Sequence, residues 1–243
     1  MTIPTRWTII PDVHGRSFWR DAVKDVEEAP VVFLGDYLDP YPQERISKAS
    51  ALEGFKDILA LKEAHPDRVT LLLGNHDLHY ILTRIGGGRT DMRRFTTIRN
   101  LLSDKLDLFD MALELESGGH RYLLTHAGVL NGWLIRNDSL LYGDAPATVG
   151  ARMNYLLHDE TWRETLLWAL SDVGYARSGM DAYGSPVWAD IHEHREGRQE
   201  LEGIYQVFGH TWMEKEIVTH CWACLDCGRA FTLFADSNII KRK

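Results

Sequence analysis

LLLGNHDLHY, residues 71–80, sets the reading of the whole chain. Leu71, Leu72 and Leu73 have the character of a buried strand. The run halts at Gly74 and three polar side chains, Asn75, His76 and Asp77. The same event recurs four more times. Residues 7–10 lead to Asp12 and His14, residues 31–34 to Asp36 and Asp39, residues 121–125 to His126, and residues 205–208 to His210. Helix-like stretches at 16–28 and 44–64 separate the first three runs, the second with Leu52, Phe55, Ile58 and Leu59 at helical spacing. Strand, helix, strand, helix, strand predicts right-handed crossovers and a largely parallel sheet covered on both faces. The functional crevice of such a sheet lies beyond the carboxyl ends of its strands, where these polar residues are delivered.

A helix is expected at 92–108, a hairpin at 111–125, a long helical segment at 129–173, a Gly-rich irregular stretch at 174–203, and strands in EIVTHCWACLD and RAFTLFAD. The 243 residues, 44% hydrophobic, suffice for one domain spanning the chain. The segment 129–203 lies between two of the polar deliveries and reads as a helical cap insertion within that domain. A formal net charge of −8 argues against stable nucleic-acid binding. No apolar run approaches the length of a membrane span, and the N-terminus reads as a first strand, not a leader. The three cysteines, Cys221, Cys224 and Cys227, do not form a disulfide framework, so a cytoplasmic setting is expected. Strand alternation turns Cys221 and Cys224 to opposite sides, which favours buried strand cysteines over a zinc site.

The delivered residue types suit metal chemistry. Asp12 and His14, two apart in an extended chain, point the same way and reach one cation through oxygen and nitrogen. Asp36 has two oxygens and can bridge to a second cation; Asn75, His126 and His210 offer further ligand atoms. Two metals sharing one carboxylate fit this count, with positions open for water and substrate. In an extended chain His76 would face away from Asn75, toward the substrate, where an imidazole is a natural general acid. Asp39 is the candidate to fix its tautomer. A mixed N/O set without thiolate calls for two divalent ions, Mn first, with Fe or Zn as alternatives.

Asp-x-His-Gly (12–15), Gly-Asp-x-x-Asp (35–39), Gly-Asn-His-Asp (74–77), His-Ala-Gly (126–128) and Gly-His-Thr (209–211), in this order, resemble the calcineurin-like metallophosphoesterases over residues 6 to 234. The branch they most resemble holds Ser/Thr protein phosphatases and symmetrical diadenosine tetraphosphatases. The resemblance implies an α/β fold, a four-layer α/β/β/α sandwich of two mixed sheets flanked by helices. It implies that Asp12 and His14 bind the first metal, that Asp36 bridges, and that Asn75, His126 and His210 bind the second. His76 would protonate the leaving oxygen, oriented by Asp39. The activity implied is hydrolysis of a phosphomonoester, on a protein or small molecule. A dinucleoside polyphosphate or phosphodiester hydrolase is the alternative, and an inactive scaffold is a third reading that the complete ligand set disfavours.

Three positions depart from that branch or its relatives. Pro40 stands where Ser/Thr phosphatases carry a phosphate-holding Arg, Asp77 where many relatives have Glu, and Trp212 where other metallophosphoesterases have a second His. GGGRTDMRR, residues 86–94, offers a mobile glycine hinge and a replacement clamp in Arg89, Arg93 and Arg94, with Arg16 as a further candidate. Trp162 and Trp168 read as core, Tyr183 and Trp188 as substrate wall, and His192-x-His194 as a solvated face.

Overall fold

The computed structural model describes residues 4–82, 88–141, 148–196 and 199–243. The chain forms two compact units, Met1–Phe109 with Gly228–Lys243, and Asp110–Cys227.

The first unit opens with β1 (Arg6–Ile10), α1 (Trp19–Ala22), β2 (Val31–Phe33), α2 (Lys48–Ala64) and β3 (Val69–Leu72). It continues through α3 (Asn75–Ile81) and α4 (Phe95–Asp104), and β4 (Phe109–Asp110) closes this stretch. The pairs β1–β2 and β2–β3 are parallel, as the alternation of strand and helix predicts, with Thr8 opposite Val31 and Val31 opposite Val69. Ile9, Ile10, Val31, Val32, Phe33, Leu71 and Leu72 are all buried, each side chain contributing about 1.5–3 kcal/mol. On α2 the expected apolar face is buried, and Phe55 packs its ring 5.1 Å from Tyr37.

The second unit begins with β5 (Leu113–Ser117) and β6 (His120–Leu124). These form the expected hairpin, closed by Gly118 and Gly119 with φ of 59° and 81°, a two-residue turn that requires positive φ at both positions. Then come α5 (Asn131–Arg136), α6 (Asp138–Leu141), α7 (Val149–His158), α8 (Arg163–Ala169) and α9 (Ile191–Arg195), followed by β7 (Tyr205–Phe208), β8 (Ile217–Val218) and β9 (Trp222–Cys224). The segment 129–203 thus folds within this unit as short helices. The chain returns to the first unit with β10 (Phe231–Phe234) and β11 (Ile239–Arg242).

Both sheets are mixed. One runs β11-β10-β1-β2-β3-β4, with β10 antiparallel to β1; the other runs β5-β6-β7-β9-β8, with β6–β7 and β7–β9 parallel. The fold class is therefore α/β, with two mixed sheets flanked by helices.

Several element boundaries differ from expectation. The stretch 16–28 is helical only over α1; Val26 and Glu28 then close i→i+3 bonds to Val23 and Asp25. Trp19, Ala22, Val23 and Val26 are all buried. The segment 129–173 is not one long helix. Asn137 donates its side-chain N–H to the Trp133 carbonyl, and Asp159 accepts from the Thr161 and Trp162 amides. Such local bonds compete with helix continuation. Trp162 and Trp168 are not core: they are 45% and 44% exposed, whereas Trp133 in the same segment is buried. EIVTHCWACLD is split because Thr219 Oγ1 accepts from the Cys221 and Trp222 amides. Cys224 and Cys227 are buried and Cys221 partly so. No helix among the described residues is long and apolar enough to cross a membrane.

Candidate metal and catalytic site

In the first unit the chain leaves β1, β2 and β3 through three loops that are laced together. The His14 amide donates to the Asp36 carbonyl (2.7 Å) and the Gly15 amide to the Tyr37 carbonyl (3.0 Å). Gly35 has φ +110°, and a Cβ there would lie 2.5 Å from the Gly74 amide nitrogen, so no other residue lets the loops pass so closely.

Asp77 is the knot. Its Oδ2 accepts from the Asp36 and Gly74 amides (2.8 Å each) and its Oδ1 from the Tyr37 amide (3.1 Å). Burial, and then the Asp36 charge, raise its pKa; the three N–H donors oppose them.

Asp12, His14 and Asp36 are all buried, with ligand atoms within 4.8 Å of one another. His14 Nδ1 meets the Leu38 carbonyl at 2.9 Å, which can only accept, so Nδ1 carries the proton and the Nε2 lone pair is left 3.4 Å from Asp36 Oδ2. Burial lowers the His14 pKa to about 3, leaving the neutral ring that a metal needs. Two buried carboxylates beside a neutral imidazole are a costly arrangement that a divalent cation would satisfy. The donor set therefore fits a cation. Asp36 Oδ1 accepts from the His76 amide at 2.9 Å, so Oδ2 is the oxygen turned to His14.

His76 lies in α3, not in extended chain. It is the second helical residue after Gly74, and Asn75 the first. The expectation that the two side chains point opposite ways because of strand alternation is corrected: helical neighbours are offset by about 100°. The same correction applies to Asp12 and His14, since His14 has φ +46°. Asp36, Asp39 and His210 share this left-handed conformation, at 53°, 59° and 67°. Each such residue costs on the order of 1–3 kcal/mol, and strain of this kind gathers at functional sites.

His76 Nδ1 is 2.9 Å from Asp39 Oδ2. Asp39 Oδ1 accepts from Tyr80 Oη at 2.5 Å, and Tyr80 Oη accepts from the Asp91 amide at 2.8 Å. Arg89 Nη2 donates to His76 Nε2 at 2.8 Å, so the resting ring is neutral with its proton on Nδ1. Arg89 also donates to the Asp39 carbonyl (2.7 Å), and its guanidinium carbon sits 3.7 Å from the Tyr41 ring centroid.

The other arginine candidates lie elsewhere. Arg16 pairs with Glu44 at 2.7 Å and donates to the Asp12 carbonyl at 3.2 Å. Arg94 pairs with Asp91 at 3.0 Å, and Arg93 is exposed. Of the glycine hinge, residues 86 and 87 lie outside the described residues.

In the second unit, His126 follows β6 and His210 follows β7. His126 Nε2 and His210 Nδ1 are 3.0 Å apart, a spacing at which two nitrogens can serve one cation. Gly209, just ahead of His210, donates its amide to the His126 carbonyl, and Cys224 Sγ donates to the Gly209 carbonyl at 3.3 Å. Trp188 packs edge-on against His210 with centroids 5.8 Å apart, while Tyr183 lies over Gly132 of α5.

His194 is not on a solvated face; only His192 is exposed. His194 stacks on Phe208 at 4.4 Å, and its Nε2–H donates to the Ala127 carbonyl. Burial lowers its pKa to about 4.

Sequence reasoning missed Asp77 as an organiser, together with His79 and Tyr80. His79 joins Asp39 and His76 in a buried cluster, its own pKa lowered to about 4 by burial. The signal was present: an acidic residue three after Gly74 matches a helix-capping spacing, and 76, 79 and 80 share a helical face.

The calcineurin-like phosphoesterase family model matches residues 5–213. The chain belongs to this family. It is 38% identical over 79 residues to a symmetrical bis(5'-nucleosyl)-tetraphosphatase of Chromobacterium violaceum, covering 29% of this chain and 26% of that protein. A protein of the same name from Paracidovorax citrulli is 34% identical over 110 residues, 42% of this chain and 35% of that one. These matches span roughly a quarter to a third of the curated relatives. Among solved structures, a cold-active protein-tyrosine phosphatase of a Shewanella species superposes with TM-score 0.57 at 16% identity, covering 99% of this chain and 80% of that one. A protein serine/threonine phosphatase from Saccharomyces cerevisiae superposes with TM-score 0.54 at 15% identity, with the same coverage. These likenesses concern the fold.

Proposed function

We propose that this calcineurin-like phosphoesterase is a metal-dependent hydrolase of phosphate esters, acting first as a phosphomonoesterase. Asp12, His14 and Asp36 would hold one ion. Following the family's motifs, Asp36, Asn75, His126 and His210 would hold a second. Divalent ions, with Mn as the first choice, would supply an activated water and neutralise phosphate charge.

The observation that carries this reading is the His76 constellation, which supplies an acid, its orienting carboxylate and an anion-binding group in one place. Asp39 fixes the ring with Nδ1–H toward it, leaving Nε2 for the leaving oxygen. Arg89 occupies the position facing Nε2 in the resting protein. An incoming phosphate is a stronger partner for a guanidinium than a neutral imidazole is. Arg89 therefore turns to the phosphate and frees Nε2, which takes the role left open by Pro40. Trp188, beside His210, is proposed as part of the substrate wall.

A dinucleoside polyphosphate is the second reading, favoured by the sequence similarity to the two tetraphosphatases. The test is metal-depleted protein re-supplied with single cations and assayed on p-nitrophenyl phosphate, its bis-ester, a phosphopeptide and diadenosine tetraphosphate. Metal-restored turnover that His76→Ala and Asp36→Asn abolish supports the proposal. Turnover indifferent to both substitutions overturns it.

A further inference from the structure

The second unit carries a group of metal-ligand atoms that the phosphoesterase motifs do not include. The turn from β8 to β9 presents His220 and Cys221, and Glu200, from the segment ahead of β7, meets them. One carboxylate oxygen, one imidazole nitrogen and one sulfur lie within 4.8 Å of one another. They are three different kinds of donor from two separate parts of the chain.

The turn is fixed by its own hydrogen bonds. Thr219 Oγ1 accepts from the Cys221 and Trp222 amides, at 3.3 and 3.0 Å, and donates to the Trp222 carbonyl at 2.8 Å. Tyr205 of β7 donates its hydroxyl to the Thr219 carbonyl at 3.2 Å, and the Gln206 amide donates to the Cys221 carbonyl at 3.0 Å. The Cys221 backbone is therefore held against β7. Its thiol is set apart from the other two: Cys221 is partly exposed, whereas Cys224 and Cys227 are buried.

The spacing suits shared ligation. His220 Nε2 and Glu200 Oε1 are 3.6 Å apart, too far for a hydrogen bond. Two such atoms on one tetrahedral zinc-type ion would stand roughly 3.3–3.5 Å apart. Neither side chain has a partner outside the group among the described residues. Their side chains are 83% and 50% exposed, so the ion pair alone contributes little, and a cation can enter from solvent. Burial, and then the Glu200 carboxylate, raise the Cys221 pKa, with Thr219 opposing them. Without a cation the group is therefore a thiol. A thiolate beside a carboxylate needs positive charge between them, and a bound divalent ion would release the thiol proton to solvent.

We propose that Glu200, His220 and Cys221 form a further metal site, for a thiophilic divalent ion of the zinc class, with water as the fourth ligand. The sulfur separates it chemically from the nitrogen and oxygen ligands of the proposed phosphoesterase centre, and Mn²⁺, a harder ion, is expected to pass it by. Its ligands join the segment ahead of β7 to the head of β9, the strand that pairs with β7. The bound ion would thus act as a staple within the second unit. Nothing in this assignment depends on the phosphoesterase reading.

The experiment is titration of the reduced, metal-depleted full chain with Co²⁺, followed by absorption. A sulfur-to-cobalt charge-transfer band in the near ultraviolet needs a thiolate ligand, so a centre of nitrogen and oxygen ligands is silent in it. Wild type is expected to develop the band, Zn²⁺ to bleach it, and Mn²⁺ to leave it in place. Cys221→Ser should abolish it. His220→Ala and Glu200→Gln change exposed side chains and should each weaken cobalt binding at the band by about tenfold or more, since even an outer contact of a metal site costs that much. Absence of the band at saturating Co²⁺, or its persistence in Cys221→Ser, overturns the site. So does an unchanged cobalt affinity in both His220→Ala and Glu200→Gln, because the thiol would then be binding without them.

Discussion

Asp77→Asn is a nearly isosteric change that removes a charge from the point where three loops meet. The carboxylate accepts three backbone N–H bonds with two oxygens. An asparagine has one acceptor oxygen. In its best orientation the oxygen keeps the Asp36 and Gly74 amides, and the new NH2 group is then forced against the Tyr37 amide. One charge-assisted bond is lost, at about 1.5–3 kcal/mol, and one buried N–H is left unmet, at about 1–3 kcal/mol. A loss near 4 kcal/mol is expected, on the order of the largest single-residue effects. Because the bond to Asp36 sets the backbone of a proposed metal ligand, cation affinity should fall as well, by roughly 10- to 100-fold. Urea unfolding of metal-free protein measures the first quantity and calorimetric metal titration the second. Three backbone donors favour the carboxylate form of Asp77, while burial and then the Asp36 charge raise its pKa. If Asp77→Asn changed stability by less than about 1 kcal/mol and left metal affinity intact, the native group would be a neutral acid, with no charge-assisted bond to lose.

Other outcomes follow from single contacts. Arg89→Ala should raise KM for p-nitrophenyl phosphate about tenfold or more, since the guanidinium beside His76 is the proposed phosphate clamp; an unchanged KM would remove it from that role. His194 is neutral in the fold, with a pKa lowered to about 4 against an ordinary 6.5. The unfolded chain therefore binds a proton first as pH falls, and stability drops by about 3 kcal/mol between pH 6.5 and 4. His194→Gln should flatten that part of the profile, read as the difference in urea midpoints across pH; parallel profiles would contradict it. Gly128→Ala introduces a Cβ at φ +82°, 2.5 Å from the His194 ring and 2.9 Å from Phe208. Backbone strain and overpacking together should cost about 3 kcal/mol; a variant that unfolds at the wild-type midpoint would show that the site relaxes freely.

Strand ends were legible because both signals are local: an apolar run, then a glycine and polar residues. The sequence around 71–77 told where β3 stops and which side chains follow it. It did not tell that Asn75 opens a helix, because His76, Asp77 and His79 have weak helix propensity and the tertiary bonds of Asp77 decide the matter. Nor did it reveal the left-handed turns at His14, Asp36, Asp39 and His210, a conformation that Asp and His adopt only occasionally and that hydrogen bonds between the loops support at His14 and Asp36. Arg89 was one of three arginines in residues 86–94 that spacing alone did not separate, with Arg16 a weaker candidate. Only the fold puts it against His76 while drawing Arg16 to Glu44 and Arg94 to Asp91. Trp162 and Trp168 kept a helical spacing, but on a short helix whose buried face is carried by Leu166 and Leu167.

The loops that carry these ligands are proposed to hold two cations per chain. Calorimetric titration of metal-depleted protein with Mn²⁺, checked by elemental analysis, measures it directly. Two ions per chain are expected for wild type, one after His126→Ala, and none held tightly after Asp36→Asn. A wild-type chain that retains no divalent ion at any loading would contradict the account.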